Sequence, residues 1–265
     1  MSAYRLTTLA KIKKSKTIVL SRKKAREIEE ILSNSRRRYE RLLRDSFLFS
    51  FLESFRITIF GSGLLQETNS EYFKFVENLA KKLGKEMQVD IITGGGGGLM
   101  LAANEGLEEA KAELKKEHRK VHCENFGIRV NLPEEMGKNK NLDVVKDFQN
   151  FSTRLEEFVR ISHGIYLAPG GFGTDLEAAM FVQLKQRWKI EQDFPILAHP
   201  FWKPIFRYEN KVLFDDQVMN GHTPFIAEDD KKIIYYTKDL NEIVKIFKKH
   251  YRAWKKLREK VKFMK

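Results

Sequence analysis

Two glycine runs are the parts of this sequence whose residue types and spacing are best suited to chemistry. One has the sequence TGGGGGLM over residues 93–100, and the other has the sequence PGGFGTDLE over residues 169–177. Each follows a short apolar segment and precedes an amphipathic one. Glycine allows backbone N–H groups to approach an anion closely, and a following helix directs the positive end of its dipole to the same point. Both runs therefore predict binding of a phosphate group.

The first run also argues against two common kinds of nucleotide site. It lacks the Lys-Ser or Lys-Thr ending that binds a nucleoside triphosphate with magnesium. No convincing ribose-binding acid follows about 20 residues later at the end of a second strand, as a dinucleotide site requires. Either run alone remains compatible with a turn that serves only tight packing of a helix on a strand. Two such runs in one sheet favour a binding site.

The elements that must position these runs follow from the hydrophobic pattern. Short apolar segments at residues 56–60, 89–93, 126–132, 165–168 and 195–198 predict five strands, which alternate with segments of helical periodicity. This alternation predicts a Rossmann-like, doubly wound α/β fold with a mainly parallel sheet and additional N- and C-terminal helices. Since loops at the carboxyl ends of parallel strands build the ligand crevice, both glycine runs should face one cavity. Residues 138–141 are predicted to form a polar loop that could cover the ligand.

The positive charge of the chain is concentrated at its two ends. The formal net charge of the 265 residues is +13, but residues 1–46 hold 14 Lys and Arg against 5 Asp and Glu, and residues 241–265 hold 10 against 2. We predict a basic helical appendage over residues 1–55, a Rossmann-like nucleotide-binding domain over 56–238 and a basic amphipathic helix packed on it over 239–265. Clusters such as Arg36-Arg37-Arg38 and Lys255-Lys256 could attract nucleic acid, but solvated helix faces are the favoured interpretation.

The composition disfavours several classes of function. The single cysteine, Cys123, excludes an intramolecular disulfide, and the six histidines lack the spacing of a metal pair. No apolar stretch approaches the roughly 18 to 20 residues needed to span a bilayer, and the N-terminus lacks the apolar core of a signal peptide. The sequence thus predicts a cytoplasmic protein with no membrane partner and no metal, redox group or other cofactor.

The two glycine runs resemble the paired motifs GGG-x-G-(L/I)-M and PGG-x-GT-x-x-E of the LONELY GUY (LOG) family. The similarity extends from residue 56 to residue 202, and it includes Gly61-Ser62 after the first predicted strand and Phe201-Trp202 after the fifth. Members were often labelled lysine decarboxylases, but characterised ones are phosphoribohydrolases that cleave the N-glycosidic bond of nucleoside 5′-monophosphates. The resemblance implies this activity and a homodimer, or a higher homo-oligomer, with helices near the PGG motif at its interface.

The resemblance also implies catalytic roles for Arg154, on the helix before the PGG motif, and for Glu177, the last residue of that motif. Departure of a base gives the ribose oxocarbenium character, which a carboxylate stabilises while it orients the attacking water. Arg154 would hold the substrate. Simpler roles remain open, namely a dipole-favoured acid for Glu177 and a surface ion pair with Glu156 or Glu157 for Arg154. The residues implied in phosphate and substrate binding are Gly61, Ser62, Gly95, Gly96, Gly97, Gly98, Leu99, Met100, Gly170, Gly171, Phe172, Gly173 and Thr174.

The residues around Arg154 differ from the family pattern. The family arginine lies in a His-x-Arg-Lys context, whereas this chain has Ser152-Thr153-Arg154-Leu155. Leu101 stands where the family commonly has glycine or glutamate. These differences leave the nucleobase undetermined and keep an alternative function open, which is non-catalytic binding or transport of a nucleotide or a phosphorylated cofactor.

Overall fold

The computed structural model describes residues 54–65, 68–130 and 139–262. All of these residues belong to the second of the two units into which the chain divides, Phe47–Lys265. The appendage predicted for residues 1–55 lies outside the described residues apart from Ser54 and Phe55, and so does Lys138 of the predicted covering loop. Those predictions and the predicted domain boundaries stay predictions.

Strands and helices alternate along the described chain, as its hydrophobic pattern predicts. The elements are β1 (Arg56–Phe60), α1 (Glu71–Met87), β2 (Asp90–Thr93), α2 (Leu99–Lys116), β3 (Asn125–Val130), β4 (Val144–Phe148), α3 (Phe151–Ile161), β5 (Gly164–Leu167), α4 (Phe172–Gln186), β6 (Ile196–Ala198), α5 (Lys203–Asn210), α6 (Asp216–Met219), β7 (Tyr235–Tyr236) and α7 (Leu240–Lys262). Single turns of 3-10 helix at Pro200–Trp202 and Glu228–Lys232, and of π-helix at Lys211–Asp215, complete the connections.

The strands form one parallel sheet in the order β4-β3-β2-β1-β5-β6-β7. The chain moves outward from β1 to β4, returns to the other side of β1 at β5, and then moves outward again. Thr58 of β1 pairs with Ile92 of β2 on one side and with Ile165 of β5 on the other. The reversal at β1 makes its carboxyl end the topological switch point, which is where open α/β sheets bind their ligands.

Helices cover both faces of the sheet and create two hydrophobic cores. Helices α1, α2 and α7 bury one face through residues such as Leu79, Leu107 and Phe247. Helices α3, α4 and α5 bury the other through residues such as Phe158, Phe181 and Phe206. Strands β1, β2 and β5 are buried throughout because they are covered on both sides. The only cysteine of the sequence, Cys123, lies in the first core with 3% of its surface exposed.

Helix α1 shows how local sequence fixes these elements. The Ser70 hydroxyl accepts the N–H groups of Tyr72 and Phe73, at 3.2 and 3.3 Å, and so caps the helix N-terminus. The helix ends at Gln88, whose left-handed φ of 50° lets its N–H donate to the Gly84 carbonyl at 3.0 Å. The capped helix then presents its apolar side to the sheet.

The predicted Rossmann-like, mainly parallel α/β fold is confirmed, and each of the five predicted strands lies within two residues of its observed bounds. Strands β4 and β7 were missing from the prediction. The predicted C-terminal helix corresponds to α7, on which Lys255 and Lys256 are exposed. Among the described residues, every helix is too short or too polar to cross a membrane.

Candidate active site

Three turns meet at the carboxyl end of β1. They follow β1 at Gly61-Ser62, β2 at residues 94–98 and β5 at residues 169–171. The Ser62 N–H donates to the Pro169 carbonyl at 3.0 Å, and the Ser62 carbonyl accepts the Leu99 N–H at 2.8 Å. The turn after β1 therefore joins the two glycine runs directly, and the structure brings together the segments that their positions at strand ends predicted.

The last glycine of the first run, Gly98, is required by its surroundings. Its φ is +62°, and a Cβ atom at this position would lie 2.3 Å from the Ser62 carbonyl oxygen. Any side chain would force the two turns apart and would occupy a positive-φ backbone conformation. Gly98 is also the N-terminal cap of α2, where no side chain accepts a hydrogen bond from the first helical turn.

Arg154 contacts strand β3, helix α4 and the turn after β2. Its Nε donates to the Ile128 carbonyl of β3 at 2.8 Å, and its Nη1 lies 3.6 Å from Glu177 Oε1 on α4. The guanidinium carbon lies 5.1 Å from the centre of the Phe158 ring. A Cβ atom on Gly94 would lie 2.5 Å from Arg154 Nη2, so the first glycine run admits the arginine by having no side chain there. Arg154 thus lies beside the end of β2 as well.

Glu177 lies in the second turn of α4, beyond the first turn, where the helix dipole most favours an acid. It is 8% exposed. The side chains of Arg154 and Glu177 are 12% and 11% exposed, so the two opposite charges face each other largely shielded from solvent. Electrostatic interactions are stronger there than at the surface. Glu157, one of the predicted simpler partners of Arg154, is bound instead by Lys146 and Arg160.

The second glycine run leaves the N-terminus of α4 open. Thr174 packs over Gly170, where a Cβ atom would lie 2.3 Å from the Thr174 hydroxyl oxygen. A Cβ atom on Gly171 or Gly173 would meet nothing within 4 Å. The helix begins at Phe172 with Gly171 as its cap and without a capping side chain. This end of α4 can therefore present its first N–H groups to an anion. The Phe172 side chain is 95% exposed.

Several residues that the sequence predicts to bind the ligand also make hydrogen bonds or core contacts within the fold. The Gly95 N–H donates to the Thr93 hydroxyl at 3.1 Å, and the Leu99 N–H donates to Ser62. The Leu99 side chain is 1% exposed and belongs to the first core. Met100 places its sulfur 2.7 Å from where a Cβ atom of Gly94 would be. That Gly96, Gly97 and Gly98 bind a phosphate stays a prediction.

A buried polar network beneath the first glycine run was not predicted from the sequence. Asn139 Nδ2 donates to the Gly96 carbonyl at 3.2 Å and to Asn104 Oδ1 at 2.8 Å. The Thr93 hydroxyl donates to the same Asn104 oxygen at 3.0 Å, and Asn104 Nδ2 donates to Asn125 Oδ1 at 2.7 Å. The only signal in the sequence is Asn104, which with Lys111 interrupts the apolar pattern of the buried face of α2.

Aromatic side chains line the end of β6 beside these turns. The Trp202 Nε1 donates to the Ala168 carbonyl at 2.9 Å and so ties this segment to the end of β5. His199 Nδ1 accepts the Phe201 N–H at 3.1 Å, while burial and nearby Lys238 lower the pKa of His199. The Tyr72 ring lies 5.4 Å from that of His199. Within the residues that the structure describes, no three His, Cys, Asp or Glu side chains are grouped to hold a metal.

The sheet order and the glycine turns at its switch point define the class of α/β proteins that bind ligands at the carboxyl ends of parallel strands. The sequence model of the family described as "Possible lysine decarboxylase" matches residues 100–247, which is more than half of the chain. The chain belongs to this LOG-like family. No curated protein sequence matches it significantly.

Solved structures share the fold. The molybdenum cofactor carrier protein MCP from Chlamydomonas reinhardtii is 13% identical, with a TM-score of 0.50 over 75% of this chain and 99% of that one. A molybdenum cofactor binding protein from the phototrophic bacterium Rippkaea orientalis is 14% identical, with a TM-score of 0.48 over 74% of this chain and 96% of that one. The protein TM1055 is 17% identical, with a TM-score of 0.49 over 74% and 99%. At these identities the comparison with the Chlamydomonas protein supports the fold alone.

Proposed function

We propose that this protein is a nucleoside 5′-monophosphate phosphoribohydrolase, which uses water to cleave the N-glycosidic bond and releases free base and ribose 5-phosphate. The observation that carries the proposal is the pair of Arg154 and Glu177, which lie 3.6 Å apart, largely shielded from solvent, beside two glycine turns. The turns can bind the phosphate of the substrate, and the Glu177 carboxylate can stabilise the positive charge that develops on the ribose. Family membership supports the same reaction class.

Each group has a defined part in the proposed reaction. The amides of Gly96, Gly97 and Gly98 and the open N-terminus of α4 bind the phosphate, with the Thr174 hydroxyl beside it. As the bond from C1′ to the base breaks, its electron pair leaves with the base and the ribose gains positive charge. The Glu177 carboxylate stabilises that charge and orients the water that adds to C1′, and the base takes up a proton as that water loses one. Arg154 holds both the substrate and Glu177 in place. The reaction needs no metal or redox cofactor.

The test incubates the protein with AMP, GMP, CMP, UMP or IMP and uses chromatography to measure the release of free base and ribose 5-phosphate. Glu177→Gln keeps the shape of the side chain but removes its charge, so we expect turnover to fall at least about 100-fold while the nucleotide still binds. Glu156→Gln, on the exposed side of α3, is the matched control and should retain activity. Normal turnover by Glu177→Gln would exclude the proposed mechanism.

The alternative is a binding or carrier protein for a nucleotide or a phosphorylated cofactor. The observation that favours it is the sequence Ser152-Thr153-Arg154-Leu155, which departs from the family pattern beside Arg154. The structural neighbour from Chlamydomonas is described as a carrier of the molybdenum cofactor. A carrier would retain its ligand without releasing a base. Hydrolysis of any of the five nucleotides at an enzymatic rate would decide against it.

We also propose that the protein forms a homodimer through α4 and α5. Four of their apolar side chains are exposed, namely Phe172 and Leu176 on α4 and Ile205 and Tyr208 on α5. Both helices contribute to the second hydrophobic core, through Phe181 of α4 and Phe206 of α5. Exposed apolar groups on adjacent helices are typical of protein interfaces. Such an interface would lie beside the second glycine run.

A further inference from the structure

We propose that Thr93, Asn104 and Asn139 form a clamp that fixes the first glycine run in its phosphate-binding conformation before any ligand arrives. They are positioning residues, which act on the ligand through the backbone of the run. The inference rests on the proposed phosphate site, but it does not depend on whether the bound nucleotide is hydrolysed.

The clamp holds two consecutive parts of the run. The Thr93 hydroxyl accepts the Gly95 N–H at 3.1 Å, and Asn139 Nδ2 donates to the Gly96 carbonyl at 3.2 Å. Both side chains then donate to one atom, Asn104 Oδ1, at 3.0 and 2.8 Å. These bonds fix the positions of the hydrogen atoms. Asn104 Oδ1 can only accept, so the Thr93 hydroxyl and the Asn139 amide group must each donate to it.

The direction of the Gly96 carbonyl determines where the next amide points. In a trans peptide, C=O and N–H point to opposite sides of the same plane. Because the Gly96 carbonyl faces Asn139, the Gly97 N–H faces away from Asn139. The clamp thus turns one of the three amides proposed to bind phosphate outward from the buried network.

A run of five glycines particularly needs such a restraint. Glycine loses more backbone freedom on ordering than any other residue, so a free run would have to be ordered by the ligand at a cost in affinity. Thr93 and Asn104 are 0% exposed and Asn139 is 7% exposed. The network continues from Asn104 to Asn125, and Asn125 Nδ2 donates to Glu108 Oε1 at 3.0 Å. A buried network whose members are bonded in this way is rigid. The entropy cost of ordering the glycine run is therefore incurred during folding and not on ligand binding.

The experiment uses two matched pairs of variants of the full chain. Thr93→Val removes the hydroxyl without changing the shape, whereas Thr93→Ser retains it. Asn139→Leu removes the donor to Gly96, whereas Asn141→Leu makes the same change two residues away in the same loop. Ribose 5-phosphate is the probe because it is common to all five nucleotides, and its Kd is measured by calorimetry. Hydrogen exchange of amides 94–98 is measured in the ligand-free proteins.

We expect Thr93→Val and Asn139→Leu to raise the Kd for ribose 5-phosphate about 10-fold and to speed exchange of amides 94–98, with the rest of the sheet protected as before. Thr93→Ser and Asn141→Leu should stay within about twofold of the wild-type Kd. If Asn139→Leu does not fold, the Thr93 pair decides alone.

Two results would overturn the inference. One is an unchanged Kd in a folded Thr93→Val protein, and the other is equal loss in Thr93→Val and Thr93→Ser. A wild-type protein that bound neither ribose 5-phosphate nor inorganic phosphate would overturn the clamp together with the phosphate site. A wild-type protein that binds ribose 5-phosphate and responds to the variants as expected, but hydrolyses no nucleotide, would refute the proposed enzyme activity and support the clamp.

Discussion

Arg154 carries more structural connections than any other proposed catalytic group. Its guanidinium is bound to a backbone carbonyl of β3, faces Glu177 on α4 and occupies the space left open by Gly94. A planar guanidinium can contact all of these partners at once, because its N–H groups point in several fixed directions in one plane. The ammonium group of lysine is a single point of charge on a flexible stem. A positive charge alone, as on lysine, therefore does not reproduce the contacts of Arg154.

Arg154→Lys tests whether this geometry matters. We expect kcat/KM for the best nucleotide to fall about 100-fold, since the lysine cannot contact both the Ile128 carbonyl and Glu177. The matched control is Arg160→Lys, on the same helix, where the Arg160 side chain is 30% exposed and pairs with the buried Glu157. Steady-state kinetics of both variants provide the measurement. Equal activity in the two variants would contradict the role given to Arg154.

The sequence predicted the proposed catalytic pair but could not predict the clamp. Arg154 and Glu177 belong to motifs, and their meeting follows once α3 and α4 pack on the same face of the sheet. Asn139 lies in a polar stretch that resembles any surface loop. Its burial depends on tertiary contacts with Gly96 and Asn104, which no local pattern encodes.

At the scale of elements, the turn after β1 packs closely against the start of α2. Gly98 has φ +62° and lies against the Ser62 carbonyl, whereas Gly221, at the end of α6, has φ +72° with nothing within 4 Å of a Cβ atom. Both glycines have a positive φ, but Gly98, with ψ −133°, lies outside the left-handed helical region and is also crowded. Alanine at each position therefore compares an open positive-φ turn with one that is both strained and crowded.

We expect Gly221→Ala to lower the free energy of unfolding by about 1 kcal/mol through its backbone conformation alone. Gly98→Ala should cost about 3 kcal/mol or more, because the added methyl group also displaces the Ser62 turn. Urea denaturation of both variants provides the comparison. Similar losses at the two positions would show that the turn yields easily and that Gly98 is not required by crowding.

The strands that the sequence predicted and those that it missed differ in their place in the sheet. The predicted strands include the continuous apolar segments of β1, β2 and β5, which are buried on both faces. The missed strands, β4 and β7, are the two edges of the sheet. Strand β4 contains Lys146 and Asp147 and alternates between partly and fully exposed residues, and β7 has two residues. An edge strand needs no continuous apolar run, so its pattern resembles that of a loop.

At the scale of the whole molecule, the proposed chemistry and the exposed apolar side chains of α4 and α5 lie at the same end of α4. The phosphate-binding turn opens at Gly171 and Gly173, and the neighbouring Phe172 and Leu176 are 95% and 52% exposed. A second copy of the chain seated on these helices would shield the apolar groups and border the site. Dimer formation and nucleotide turnover should then be linked.

We expect the wild-type protein to have twice the 31.1 kDa mass of the chain by light scattering. Leu176→Asp, combined with Tyr208→Asp, should give the monomer mass, because a charge in an apolar interface loses its hydration. Leu257→Asp on α7, where Leu257 is 45% exposed, is the matched control and should leave the mass unchanged. A wild-type mass of 31.1 kDa would refute the proposed interface.

Because Cys123 is buried, the native protein offers no readily reactive thiol to a labelling reagent. Burial raises the pKa of this thiol to about 11, and the thiolate is the form that reacts with maleimides. It is the only cysteine in the sequence. Leu64→Cys, at a position that is 90% exposed and two residues after Ser62, would consequently introduce the single reactive thiol. A fluorophore attached there would report ligand arrival beside the turn after β1, without prior removal of Cys123.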